Sequence, residues 1–100
     1  MATSTIEKLN PVLTMGSITN VTLPYIAPEN GFLVCQFRGG AGNGYQQIQT
    51  GNGNFICTTN SGWAIDTTIP LKKGSTATEG SSNNVTNRAY RFIPLTVSME

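Results

Sequence analysis

Short runs of alternating apolar and polar residues, punctuated by Gly, Pro and Asn, make up most of this chain. The most apolar run is Phe-Leu-Val-Cys-Gln-Phe at 32–37. It follows Pro28-Glu29-Asn30-Gly31, where Pro presets a turn angle and Asn-Gly tolerates positive φ. A turn that opens directly into β-forming side chains predicts a strand with a defined start. Leu33, Cys35 and Phe37 fall on one face of that strand and Phe32, Val34 and Gln36 on the other. Five of these six are apolar, so both faces are expected to be covered.

The same reading predicts further strands over 12–15, 18–23, 45–50, 55–59, 63–65, 67–71 and 88–95. Gly51-Asn52-Gly53-Asn54 is a hairpin turn. Pro24 and Pro70 mark edges or bends, because Pro cannot donate to a ladder. The Gly-rich stretch 39–44 is a loop that lacks the Gly-Lys-Ser/Thr ending of a phosphate loop. Residues 76–87, nearly all Thr, Ser, Asn and Gly, are expected to form a surface loop. In the last strand Tyr90 and Phe92 share one face, with Arg91, Ile93 and Leu95 on the other. About seven short strands at this spacing predict an all-β, antiparallel sandwich or barrel.

Ser4-Thr5-Ile6-Glu7 has the form of a capping box and predicts a turn or two of helix ended by Pro11. Ile6 and Leu9 share a face of it. A helix so short must dock to persist, so the segment either frays or attaches to a neighbouring subunit or scaffold. The expected division is 1–15 as attachment segment and 16–100 as head domain.

Composition sharpens this picture. The chain has 100 residues, of which 11% are charged, with a net charge of +1. A typical domain carries roughly a quarter charged residues, so this surface is polar but neutral, and part of it is expected to be covered in an oligomer. No basic patch points to nucleic acid. No run of about twenty apolar residues points to a membrane. No signal-peptide pattern opens the chain, so synthesis in the cytosol is expected. Cys35 and Cys57 are then expected to be buried free thiols rather than a disulfide.

There is no His, which excludes Ser-His and Cys-His nucleophile pairs. The Cys spacing fits no zinc site. Asp66 facing Glu29 or Glu79 is the one carboxylate pairing open to a hydrolase. The expectation is therefore no enzyme, no cofactor and no metal. Trp63 is either core or a sugar-stacking platform. Asn43, Asn52, Asn83 and Asn84 lie in loops suited to hydrogen-bonding a ligand.

Three phrases add a likeness: Tyr-Ile-Ala-Pro-Glu-Asn-Gly-Phe (25–32), Ile-Pro-Leu-Lys-Lys-Gly-Ser (69–75) and Arg-Phe-Ile-Pro-Leu (91–95). In order and spacing they resemble small β-sandwich proteins of tailed bacteriophages and prophages of gut bacteria. Asn30 and Ser75 stand where those proteins usually carry Asp. The resemblance implies a jelly-roll head, broadly similar to tumour necrosis factor and complement heads. It also implies a homotrimeric virion structural protein: a fibre head, or a capsid or tail surface component. Its implied partners are copies of itself, other virion proteins and a host-surface glycan or protein. Phe37, Tyr90 and Phe92 are then candidates for the interface between copies, or else for the internal core. The alternative function is a lectin-like carbohydrate-binding module acting outside a virion.

Overall fold

The computed structural model describes residues 11–59 and 64–99. Within them the chain forms nine strands and no helix: β1 (Pro11–Met15), β2 (Thr19–Val21), β3 (Tyr25–Ile26), β4 (Gly31–Gly39), β5 (Gly44–Thr50), β6 (Gly53–Thr59), β7 (Ala64–Leu71), β8 (Thr76–Asn83) and β9 (Val85–Met99). One sheet runs β1-β9-β4-β7, with β2 also on β9, and the other runs β3-β8-β5-β6. Every pairing is antiparallel. The fold is all-β, as the alternation predicts. The helical turn expected around Ile6 and Leu9 lies outside the described residues.

The central strand forms where the turn-then-apolar pattern places it. Leu33 and Cys35 are fully buried and Phe37 is 1% exposed, while Phe32, Val34 and Gln36 are half-buried. From the same sheet, β9 adds Tyr90 and Phe92, and β7 adds Ile69 and Leu71. The facing sheet adds Ile48, Cys57 and Ala77. Each large apolar side chain withdrawn from water in this way contributes about 1.5–3 kcal/mol. Phe37 meets Tyr90 edge-on at 5.8 Å, and Tyr25 meets Phe92 at 5.3 Å. Of the two roles open to Phe37, Tyr90 and Phe92, the structure gives them the internal one. Their exposures of 1%, 8% and 2% leave almost nothing to offer a second copy. Cys35 and Cys57 are buried and unpaired.

Three expectations need correction. Residues 76–87 are not a loop but β8, the one-residue turn at Asn84 and the start of β9. Only Ala77 of β8 reaches the core; the strand stands on its backbone ladders to β3 and β5 and on the β-propensity of Thr. The break expected at Asp66 is absent. Asp66 points outward opposite Gln36, so one continuous strand carries Ile65, Thr67, Ile69 and Leu71 inward. The strand expected over 18–23 shrinks to Thr19–Val21.

Candidate assembly and display surfaces

The three phrases of the likeness meet in space. The Asn30 side-chain oxygen accepts from the Lys73 amide at 2.8 Å. The Gly74 amide donates to the Ala27 carbonyl at 2.8 Å, and the Ala27 amide to the Ser75 carbonyl at 3.0 Å. The Leu95 amide donates to the Asn30 carbonyl at 2.8 Å. The phrases therefore form one structural joint at one end of the molecule, with Asn30 as its bracket. Asn52 lies at this end as well, bordering a hollow with Asn30, Phe32, Pro70 and Leu95.

From this joint β9 runs on past its other partners. Strand β4 accompanies it only to Gly31↔Pro94. From Leu95 to Met99 it pairs with β1 alone. The result is a two-stranded ribbon on a molecule measuring 68 × 22 × 21 Å. Leu13 pairs with Val97 and Met15 with Leu95, which puts all four on one face of the ribbon. Thr14 and Thr96 pair on the other face. Leu13 is 66%, Met15 56% and Val97 59% exposed, so this apolar face is uncovered in the single chain. A lone two-stranded ribbon is marginal in water. Its register was not foreseen from sequence, although Pro-Val-Leu-Thr-Met and Leu-Thr-Val-Ser-Met carry the required alternation.

The opposite end gathers the Asn-rich loops. Asn84 adopts φ 59°, a left-handed conformation that Asn tolerates. Its side-chain amide donates to the carbonyls of Ala41 and Asn43 at 3.4 and 3.3 Å, and its own carbonyl accepts from the Gly40 amide at 2.8 Å. A Cβ on Gly44 would come within 2.2 Å of the Asn83 carbonyl. Asn43, Asn83 and Asn84 are thus brought together where the Asn84 turn, with Asn83 as the last residue of β8, braces the loop before β5, and all three are exposed. Asn52 sits one strand length away, roughly 20 Å. Trp63 lies outside the described residues.

Between the sheets runs a polar cluster that the sequence reading missed, because two of its members, Glu79 and Ser82, lie in the stretch expected to be a loop. Tyr90 donates to Glu79 Oε2 at 2.5 Å. Arg88 Nε donates to Gln46 Oε1 at 2.6 Å and lies 3.7 Å from Glu79 Oε2. Arg88 Nη2 donates to Ser82 Oγ at 3.2 Å. Gln46, 1% exposed, donates its amide to the Gln47 carbonyl at 3.0 Å. Residues of β9 are thereby fastened to β8 and β5 in the facing sheet.

Burial, with the Cys57 thiol adding to it, pushes the Cys35 thiol up to about 12. Burial and then the Glu79 hydrogen bond and charge raise the Tyr90 phenol, with Arg88 opposing. Both groups hold their protons more tightly folded than unfolded, where they titrate near 9.0 and 10.0. Stability is therefore complete below pH 9 and falls as pH rises above it, by up to about 1.4 kcal/mol per pH unit from Cys35 alone. Urea midpoints should be level from pH 7 to 8.5 and decline from pH 9 upward; a level profile to pH 11 contradicts this.

Among the described residues no carboxylates face each other across a cleft. Asp66 is on the outer face of its sheet opposite Gln36, Glu79 is bonded to Tyr90, and Glu29 lies in the turn at the joint. No group of three or more potential metal ligands is present among them. Compared with known proteins, the chain matches no family model, no curated protein and no solved structure.

Proposed function

We propose that this chain is a non-enzymatic structural protein of a bacteriophage particle, a jelly-roll head that assembles as a homotrimer and presents its Asn-rich end to the host surface. The observation that carries this reading is the ribbon. Its apolar face of Leu13, Met15, Leu95 and Val97 holds no charge, so identical copies meet there without repulsion. Burying that face also stabilises a ribbon that is marginal alone. The ribbon and the braced loops stand at opposite ends, so copies gathered by their ribbons carry all their loop pairs outward together.

The strand orders support the jelly roll. Strands β2-β9-β4-β7 in one sheet and β3-β8-β5-β6 in the other are the order that two rolled Greek keys produce. Such rolls occur in viral capsid and lectin domains, though a fold alone assigns no function. Segment 1–15, with Ile6 and Leu9, would join the head to other virion proteins, and weak loop contacts to a glycan or protein would be multiplied by the number of copies.

The test is native mass spectrometry with sedimentation. The wild-type chain should associate in multiples of three at micromolar concentration. The double substitution Leu13→Lys with Val97→Lys should leave the chain folded and abolish the three-fold contact, weakening association through the ribbon at least a hundredfold. A wild-type chain that is monomeric at hundreds of micromolar sinks the proposal.

A further inference from the structure

We infer that β6 is a second self-association site, at which two copies pair their β6 strands antiparallel about a two-fold axis through Ile56. Among the described residues, β7 at one end of its sheet and β6 at one end of the other each have a strand neighbour on one side only. Exposed edges invite pairing with another chain, and proteins blunt them with charges and Pro. Strand β7 carries both, Asp66 and Pro70, each exposed. Strand β6, Gly-Asn-Phe-Ile-Cys-Thr-Thr, carries neither. No charged residue occurs anywhere between Arg38 and Asp66.

The occupant follows from the side chains that β6 turns outward. Cys57 and Thr59 face the core, while Asn54, Ile56 and Thr58 are exposed, Ile56 by 64%. An antiparallel copy centred on Ile56 sets Ile56 against Ile56 and each Asn54 against a Thr58. The central pair is apolar and β-branched, and the flanking pairs match hydrogen-bonding groups; both kinds stabilise strand pairs. A strand that is its own complement in this way fits a two-fold, isologous contact. Neutrality removes the like-charge repulsion that a copy would otherwise meet. The product is one continuous eight-stranded sheet in the order β3-β8-β5-β6-β6-β5-β8-β3.

This contact is separate from the ribbon and stands whether or not the chain belongs to a virion. Single cysteines test its register. With oxidised glutathione as oxidant, Ile56→Cys should form a chain-to-chain disulfide at least tenfold faster than Asn54→Cys or Thr58→Cys alone. An equal mixture of Asn54→Cys and Thr58→Cys chains should cross-link where neither does alone. The wild-type chain is the control, since Cys35 and Cys57 are buried. Ile56→Lys, at a side chain already in water, should leave the fold intact and halve the mass of the largest assembly. The inference is overturned if Ile56→Cys reacts no faster than its neighbours, or if Ile56→Lys keeps the wild-type mass. Ile56→Cys should still cross-link when Leu13→Lys and Val97→Lys are added, which separates failure of this contact from failure of the ribbon.

Discussion

Phe37→Ala should lower unfolding stability by about 3–5 kcal/mol, the cost of removing a large aromatic side chain from a core that cannot collapse around the gap. The gap would open at the centre of the buried core. Phe37 is 1% exposed and lies edge-on to Tyr90, whose hydroxyl is held by Glu79. Tyr90 cannot swing in to fill the space without giving up that bond. Domains of this size hold only about 5–15 kcal/mol in total, so the variant should unfold at much lower urea or be recovered largely unfolded. The same measurement separates the two roles the sequence left open. A core residue lowers the midpoint independently of protein concentration, whereas an interface residue would change the concentration dependence and spare the folded monomer. A loss below 1 kcal/mol would remove Phe37 from the core.

Gly31→Ala should cost about 2–3 kcal/mol, at the upper end of what inserting one methyl into a packed site does. A Cβ there would lie 2.3 Å from the Ile93 carbonyl oxygen, 2.7 Å from Phe92 Cζ and 3.0 Å from Pro94 Cα. Two of the three obstacles belong to the backbone, so no rotamer change relieves them. Strand β4 would have to move off β9 at the point where the ribbon begins, because Gly31 pairs with Pro94. Hydrogen exchange should therefore quicken at Leu95 and beyond, in addition to the fall in thermal midpoint. An unchanged midpoint with unchanged exchange would mean that the close approach at Gly31 is not obligatory.

How far the fold could be read in advance depends on where each strand finds its stability. Strand β4 is legible because Pro28-Glu29-Asn30-Gly31 fixes its start and its side chains carry its burial. The β5–β6 hairpin is legible because Gly51-Asn52-Gly53 announces the turn between two alternating runs. Strand β8 is not, since Ala77 is its single core residue and the rest of its stability comes from ladders to β3 and β5 that leave no mark on side-chain pattern. The polar cluster was hidden for the same reason: Glu79 and Ser82 acquire meaning only once β8 lies against β5 and across from Arg88 and Tyr90. At the surfaces, the grouping of Asn43, Asn83 and Asn84 away from Asn52 follows from strand direction, which no single loop sequence carries. The ribbon required a pairing between residues eighty or more positions apart, from Met15 with Leu95 to Pro11 with Met99.

That distance has a kinetic side. Strand β9, the last of the nine, lies between β1 and β4 in its sheet and also takes β2. During synthesis the β5–β6 hairpin can close as soon as it emerges, but β1 and β2 must wait for their neighbour. The first strands made therefore spend the longest time unpaired, with Leu13 and Met15 bare. Pairings that span so much chain close slowly, which makes the arrival of β9 the step that commits β1 and β2 to their native sheet.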